Sequence, residues 1–237
     1  MTEQIPTGSA EYLSYVFEVM SENEQFLRKN ALAVYEEIVG LTSDAMADLS
    51  IILNHPNRVN EFVRRAMFYF FELVLMPRSY AIWLDCISGN LPACFVEMRS
   101  ILESLVKCYL ADLRYPDQGS FQERLRLLDA EKSEVGGNQV TISISKRMKE
   151  IGTLLHSEKD FVTLWGKLSY SWVHARGMMD QLVSHLNKSD VPAWALVVPM
   201  NYRENDLVGL NELRERLIRL RDLLRIATEN YRQQIEY

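Results

Sequence analysis

An arginine and a glutamate four residues apart, set inside an apolar helical stretch, are the side chains best placed for chemistry in this chain. The stretch is Leu91 to Leu113, LPACFVEMRSILESLVKCYLADL. Wound at about 100° per residue, it gathers Phe95, Val96, Met98, Leu102, Leu105, Val106, Tyr109, Leu110 and Leu113 on one broad face. Arg99 and Glu103 fall inside that arc, with Val106 and Leu110 projecting within about 20° of Arg99. A four-residue step lets their side chains meet. The first reading is a structural ion pair that fixes helix packing, because a buried charge has to be paired. The second is a polar pocket in the core of a bundle. The third is a surface pair, which the Arg-before-Glu order disfavours.

Downstream, GKLSYSWVHA ends in His174. A histidine near a helix end can act as a general base, as a ligand donor, or as a charge that answers the helix dipole. Arg99, Glu103 and Tyr170 as binding groups and His174 as a catalytic base would make a compact site if the fold brings them together. His55, His156 and His185 lack partners at metal-ligand spacing. Cys86, Cys94 and Cys108 form no C-x-x-C pair and are read as apolar packing. There is no G-x-S-x-G, no phosphate-binding glycine loop and no H-E-x-x-H. Neither a metal nor a cofactor is expected.

The elements that must position these groups read as helices. From Leu13 to Ile52 the apolar residues keep helical spacing, as one very long helix or two in line, with the break expected at Gly40 and Thr42-Ser43. Residues 1–8 read as a frayed tail. Asn57 to Ser88 forms the next unit, with the aromatic run Met67-Phe68-Tyr69-Phe70-Phe71 deeply buried and a kink or interruption at Pro77. Gly89-Asn90 ends it, so the central helix should run antiparallel to it. Short helices follow at 121–131 and 143–151, separated by a loop at 132–139. Ser157 is expected to cap a further helix bearing Phe161, Leu164, Trp165 and Leu168. Val191 to Met200 reads as extended chain between prolines. The last helix carries Leu210, Leu213, Leu217, Leu220 and Leu224 in coiled-coil spacing, able to pack in the bundle or against a second copy. Its arginines alternate with acids and read as a solvated face. The fold expected is all-α: one helical domain over 1–237, with a long N-terminal helix, a central antiparallel pair and a leucine-seamed C-terminal helix.

Composition narrows the class. Ten Gly and seven Pro in 237 residues favour helices over a turn-rich β fold. A net charge of −6 argues against a broad nucleic-acid-coating surface and leaves room for a local basic groove. The odd cysteine count fits a reducing compartment. No apolar stretch reaches the roughly 18 residues that a membrane span needs, and no signal peptide is evident. A cytoplasmic protein without membrane contact is expected.

The central stretch AxxxxMRSILESLVKCYL after Gly89, together with GKLSYSWVHA at 166–175, resembles a group of prokaryotic helical proteins similar to the HEPN superfamily. The matching positions are Gly89, Arg99, Glu103, Tyr170, Ser171 and His174, and the resemblance spans residues 60–235. It implies a helical bundle, often a homodimer, that associates with nucleotides or nucleic acid. It also implies a link to metal-independent ribonucleases of toxin and defence systems. Their motif is an Arg, then four to six intervening residues, then the His, and at the positions where that Arg would stand before His174 this chain has Lys167, Leu168 and Ser169. A HEPN-like protein binding a nucleotide, nucleic acid or other small polar ligand is therefore the leading expectation. RNA cleavage and a non-catalytic dimerisation module are the alternatives.

Overall fold

A computed structural model describes residues 9–169 and 201–235. The N-terminal stretch folds as two helices, α1 (Ser9–Asn30) and α2 (Leu32–Leu53). Their break lies at Ala31, and α2 runs unbroken through Gly40 and Thr42-Ser43, where the interruption was expected. The joint is bent: Tyr35 Oη donates to Glu24 Oε1 at 3.2 Å, although 11 residues of straight helix would separate them by about 16 Å. Gly40 belongs to the helix interior for a reason outside its own helix. A Cβ there would lie 2.5 Å from Arg221 Nη1 on the last helix.

Short α3 (Arg58–Arg64) leads into α4 (Ala66–Tyr69), a π-helical turn at Phe70–Leu75, and α5 (Met76–Ile87). The π turn stands just ahead of Pro77. Proline lacks an N–H and crowds the carbonyl four residues back, and a widened turn relieves both, so the helix continues instead of stopping. Met67, Phe68, Phe70 and Phe71 are wholly buried, as expected, while Tyr69 is only partly buried and stacks on Phe121. Gly89, at φ 77°, closes α5. Asn90 N donates to Asp85 O and Gly89 N to Cys86 O, the paired bonds of a left-handed C-cap.

Helix α6 (Leu91–Arg114) then returns antiparallel to α5, and Arg78 pairs with Glu97 across them. After α7 (Phe121–Ala130), whose first turn is capped by Ser120, the stretch expected as a loop is a hairpin. Strands β1 (Lys132–Val135) and β2 (Asn138–Thr141) pair antiparallel. Gly136 and Gly137, both at positive φ, supply the two-residue turn that matches strand twist. Helices α8 (Ile144–Leu154) and α9 (Glu158–Leu168) pack so closely that a Cβ on Gly152 would lie 2.3 Å from Glu158 Cα. Ser157 precedes α9 but makes no capping bond; its hydroxyl donates to Leu155 O instead.

The final helix, α10 (Leu207–Ile235), completes a ring with α2, α5 and α6. Glu37, Asp44 and Asp48 of α2 meet Arg221 and Thr228 of α10, and Tyr109 and Asp112 of α6 meet Asn230 and Tyr231. The pairs between α2 and α10 advance together along both helices, so these two run parallel. Leu210, Leu213, Leu217, Leu220 and Leu224 are buried in this ring. The leucine seam is thus spent inside the bundle. Two arginines expected on a solvated face are structural: Arg216 is buried beside Glu212, and Arg221 bridges Glu37 and Asp44. Buried apolar residues from α1 to α10 form one continuous cluster. Among the described residues no helix is long and apolar enough to cross a membrane.

Candidate functional site

Helix α6 carries two of the three expected binding residues, Arg99 and Glu103, at the edge of its buried face. Arg99 Nε donates to Glu103 Oε1 at 2.8 Å. Trp165 Nε1, from α9, donates to the same oxygen at 2.9 Å. The guanidinium carbon of Arg99 stands 5.7 Å from the Trp165 ring centroid, within the range where a cation is drawn to an aromatic face. The side chains of Arg99 and Glu103 are 23% and 31% exposed. They therefore lie half-buried at the α6–α9 seam and not in the oily centre. Tyr170 and His174, the other two expected site residues, lie outside the described residues, as do His185 and the 191–200 segment.

This arrangement holds one guanidinium still. Glu103 occupies its Nε side, and the indole takes part of its face. Its two terminal amino groups make no hydrogen bond among the described residues. Such a fork is shaped to take a carboxylate or phosphate by two parallel bonds. Its ordering entropy is already spent, which favours affinity.

The deepest polar centre is elsewhere and was not singled out from the sequence. Asp112, near the end of α6, accepts from Ala66 N at 2.8 Å, Met67 N at 2.9 Å, Arg124 Nη1 at 2.8 Å and Tyr231 Oη at 3.0 Å. Helix α4 begins after Arg65, which provides no side-chain cap, so a remote carboxylate caps it. Arg124 also reaches Pro116 O at 2.6 Å. Burial beside Asp112 pushes the Tyr231 phenol well above its usual range. Each carboxylate oxygen accepts two hydrogen bonds, which fills its lone pairs and marks a structural hub. The available signal was an aspartate one turn past Cys108 and Tyr109, on the apolar side of α6.

A second knot ties the bundle's other end. Tyr202 donates from its hydroxyl to Cys86 O at 2.6 Å and from its backbone to Asn23 Oδ1 at 2.7 Å, and Asn23 Nδ2 donates to Ile87 O at 2.9 Å. Cys86, Cys94 and Cys108 are all buried free thiols, and burial pushes Cys94 and Cys108 far up. Thiolates are the reactive form, so neither Cys94 nor Cys108 is set up as a nucleophile.

No protein-family model, curated protein or solved structure matches this chain. The fold and the side-chain geometry thus define an all-α helical bundle with a fixed arginine at the seam of two helices.

Proposed function

We propose that this chain is a HEPN-like binding protein that takes an anionic ligand, a nucleotide or single-stranded nucleic acid, on Arg99. The observation that carries the reading is the geometry of that arginine: anchored through Nε by Glu103, steadied by Trp165, its fork open among the described residues. Phosphate oxygens would engage the fork, and a base could stack on the accessible part of the indole. Glu103 contributes as a positioning residue by holding the guanidinium plane. The HEPN-like assignment and a homodimeric state belong to the same proposal and rest on the sequence resemblance; a cytoplasmic setting is proposed with them and rests on the odd cysteine count.

Fluorescence anisotropy of a labelled oligoribonucleotide, competed by free nucleotides, tests this. Saturable binding that weakens about tenfold or more in Arg99→Ala supports it, the loss being that of a charge-assisted pair. Binding that ignores Arg99→Ala refutes it. Running the same mixtures on a gel separates binding from cleavage, with His174→Ala as the discriminating variant. A chain that binds neither RNA nor nucleotides is left with the adaptor reading.

A further inference from the structure

We propose that the groove between α2 and α10 is a binding site for a small organic ammonium ion of the diamine or polyamine class, with Asp48 as its main contact. The groove encloses about 480 Å³, which lies in the range of small-ligand sites. Its floor is apolar, built from Leu41, Ala45 and, through the π turn, Leu75. That suits an aliphatic stem. Its walls are charged and unbalanced. Glu37, Asp44 and Asp48 come from α2, and Asp222 and Glu229 from α10. Against these five carboxylates stand three guanidinium groups, which leaves an excess of two negative charges.

The cations present are already engaged or poorly seated. Arg221 is bound to Glu37 and to Asp44 Oδ2 at 2.7 Å. Arg225 leans on Asp222 at 3.4 Å and on Glu229 at 3.7 Å near solvent. Asp48 is the under-served acid. Its side chain is 16% exposed, and the nearest guanidinium nitrogen, Arg232 Nη2, stands 3.6 Å away. Among the described residues its one side-chain hydrogen bond is from Thr228 Oγ1 at 3.3 Å. The Nε of Arg232 is buried with no hydrogen-bond partner among the described residues, and that guanidinium is not seated squarely on Asp48. Among the described residues no three His, Cys, Asp or Glu side chains converge to hold a metal ion. A cation bringing its own N–H donors and a hydrocarbon stem fits the groove better than a bare ion. Burial, with Asp44 and Glu229 adding to it, pushes the Asp48 carboxyl up to about 6 despite Arg232 and Thr228. This is the behaviour of a carboxylate short of a donor.

Calorimetric titration of spermidine into the full chain at pH 7.5 tests the assignment. One saturable site is expected, about ten- to hundred-fold weaker in Asp48→Asn, as the loss of one charge-assisted hydrogen bond implies. Circular dichroism checks that this variant stays folded. Arg232→Gln, which removes the competing cation, should bind severalfold more tightly. Arg99→Ala should bind like the parent, which keeps this site separate from the anion site. The proposal is overturned by an absence of saturable binding, by equal affinity in Asp48→Asn, or by displacement with magnesium at matched ionic strength.

Discussion

Asp112 and Arg124 meet at 2.8 Å with side chains only 4% and 3% exposed. Two charges so deeply buried survive because each has further partners: backbone N–H groups and Tyr231 for the acid, backbone carbonyls for the base. Removing one partner strands the other. Asp112→Ala should cost about 3–5 kcal/mol, the range for breaking a buried pair. Urea unfolding measures it. The Asp112→Ala and Arg124→Leu losses should fall well short of adding, because the second change removes the charge that the first left bare.

Two glycines should respond differently to alanine. At Gly152 the new methyl meets backbone, 2.3 Å from Glu158 Cα. Helices α8 and α9 would have to part, so Gly152→Ala should destabilise by about 2 kcal/mol or more. At Gly40 the obstacle is the tip of Arg221. Alanine gains about 1 kcal/mol of helix propensity but displaces the guanidinium from Glu37 and Asp44. Gly40→Ala should therefore stabilise the Arg221→Ala background by about 1 kcal/mol and do clearly less in the parent. Four denaturation curves decide it.

His156 holds a left-handed backbone, φ 55°, at the C-terminal cap of α8, with Ser157 N donating to Gly152 O at 2.7 Å. Its side chain is exposed. Among the described residues no side-chain bond offsets the strain of that conformation, so His156→Gly should raise stability by about 0.5–1 kcal/mol. A higher melting temperature with unchanged circular dichroism is the expected record.

Asp48 makes a pH prediction whose sign is set by its raised value. Its folded carboxyl, at about 6, lies above the ordinary carboxylate range. The folded state holds that proton more tightly than the unfolded chain, so the group favours folding below about pH 4 and loses this advantage as pH rises toward 6. Above pH 6 it is a buried, under-paired charge. Asp48→Asn should be more stable than the parent at pH 7.5 by about 1–3 kcal/mol, with the gap closing toward pH 4. Asp85, also at about 6 through burial and Glu97, stays in both proteins and cancels in the comparison.

Helix positions were legible because apolar spacing and end signals agreed. Helix α6 was expected at Leu91–Leu113 and runs to Arg114. Misreadings arose where one helix answers to another. Gly40 looked like a break because its reason for being glycine lies on α10, 181 residues away in Arg221. Arg99 and Glu103 looked central because a projection down α6 overlays two unlike halves. Cys108 to Asp112 are buried nearly all round, while the turn bearing Arg99 faces outward on one side. Val106 and Leu110 thus lent an apolar context to residues that do not share it. Asp112 escaped notice because its partners, Ala66, Arg124 and Tyr231, are distant in sequence.

The most direct test of the proposed function follows the indole N–H of Trp165 by ¹⁵N-edited NMR while ATP or a short oligoribonucleotide is added. This proton bonds to the carboxylate that holds Arg99. A saturable shift of that resonance is expected in the parent, with weaker binding in Arg99→Lys, which keeps the charge but not the fork, and no saturable shift in Arg99→Ala. A resonance that stays still at saturating ligand, or that moves equally in Arg99→Ala, would contradict the proposed function.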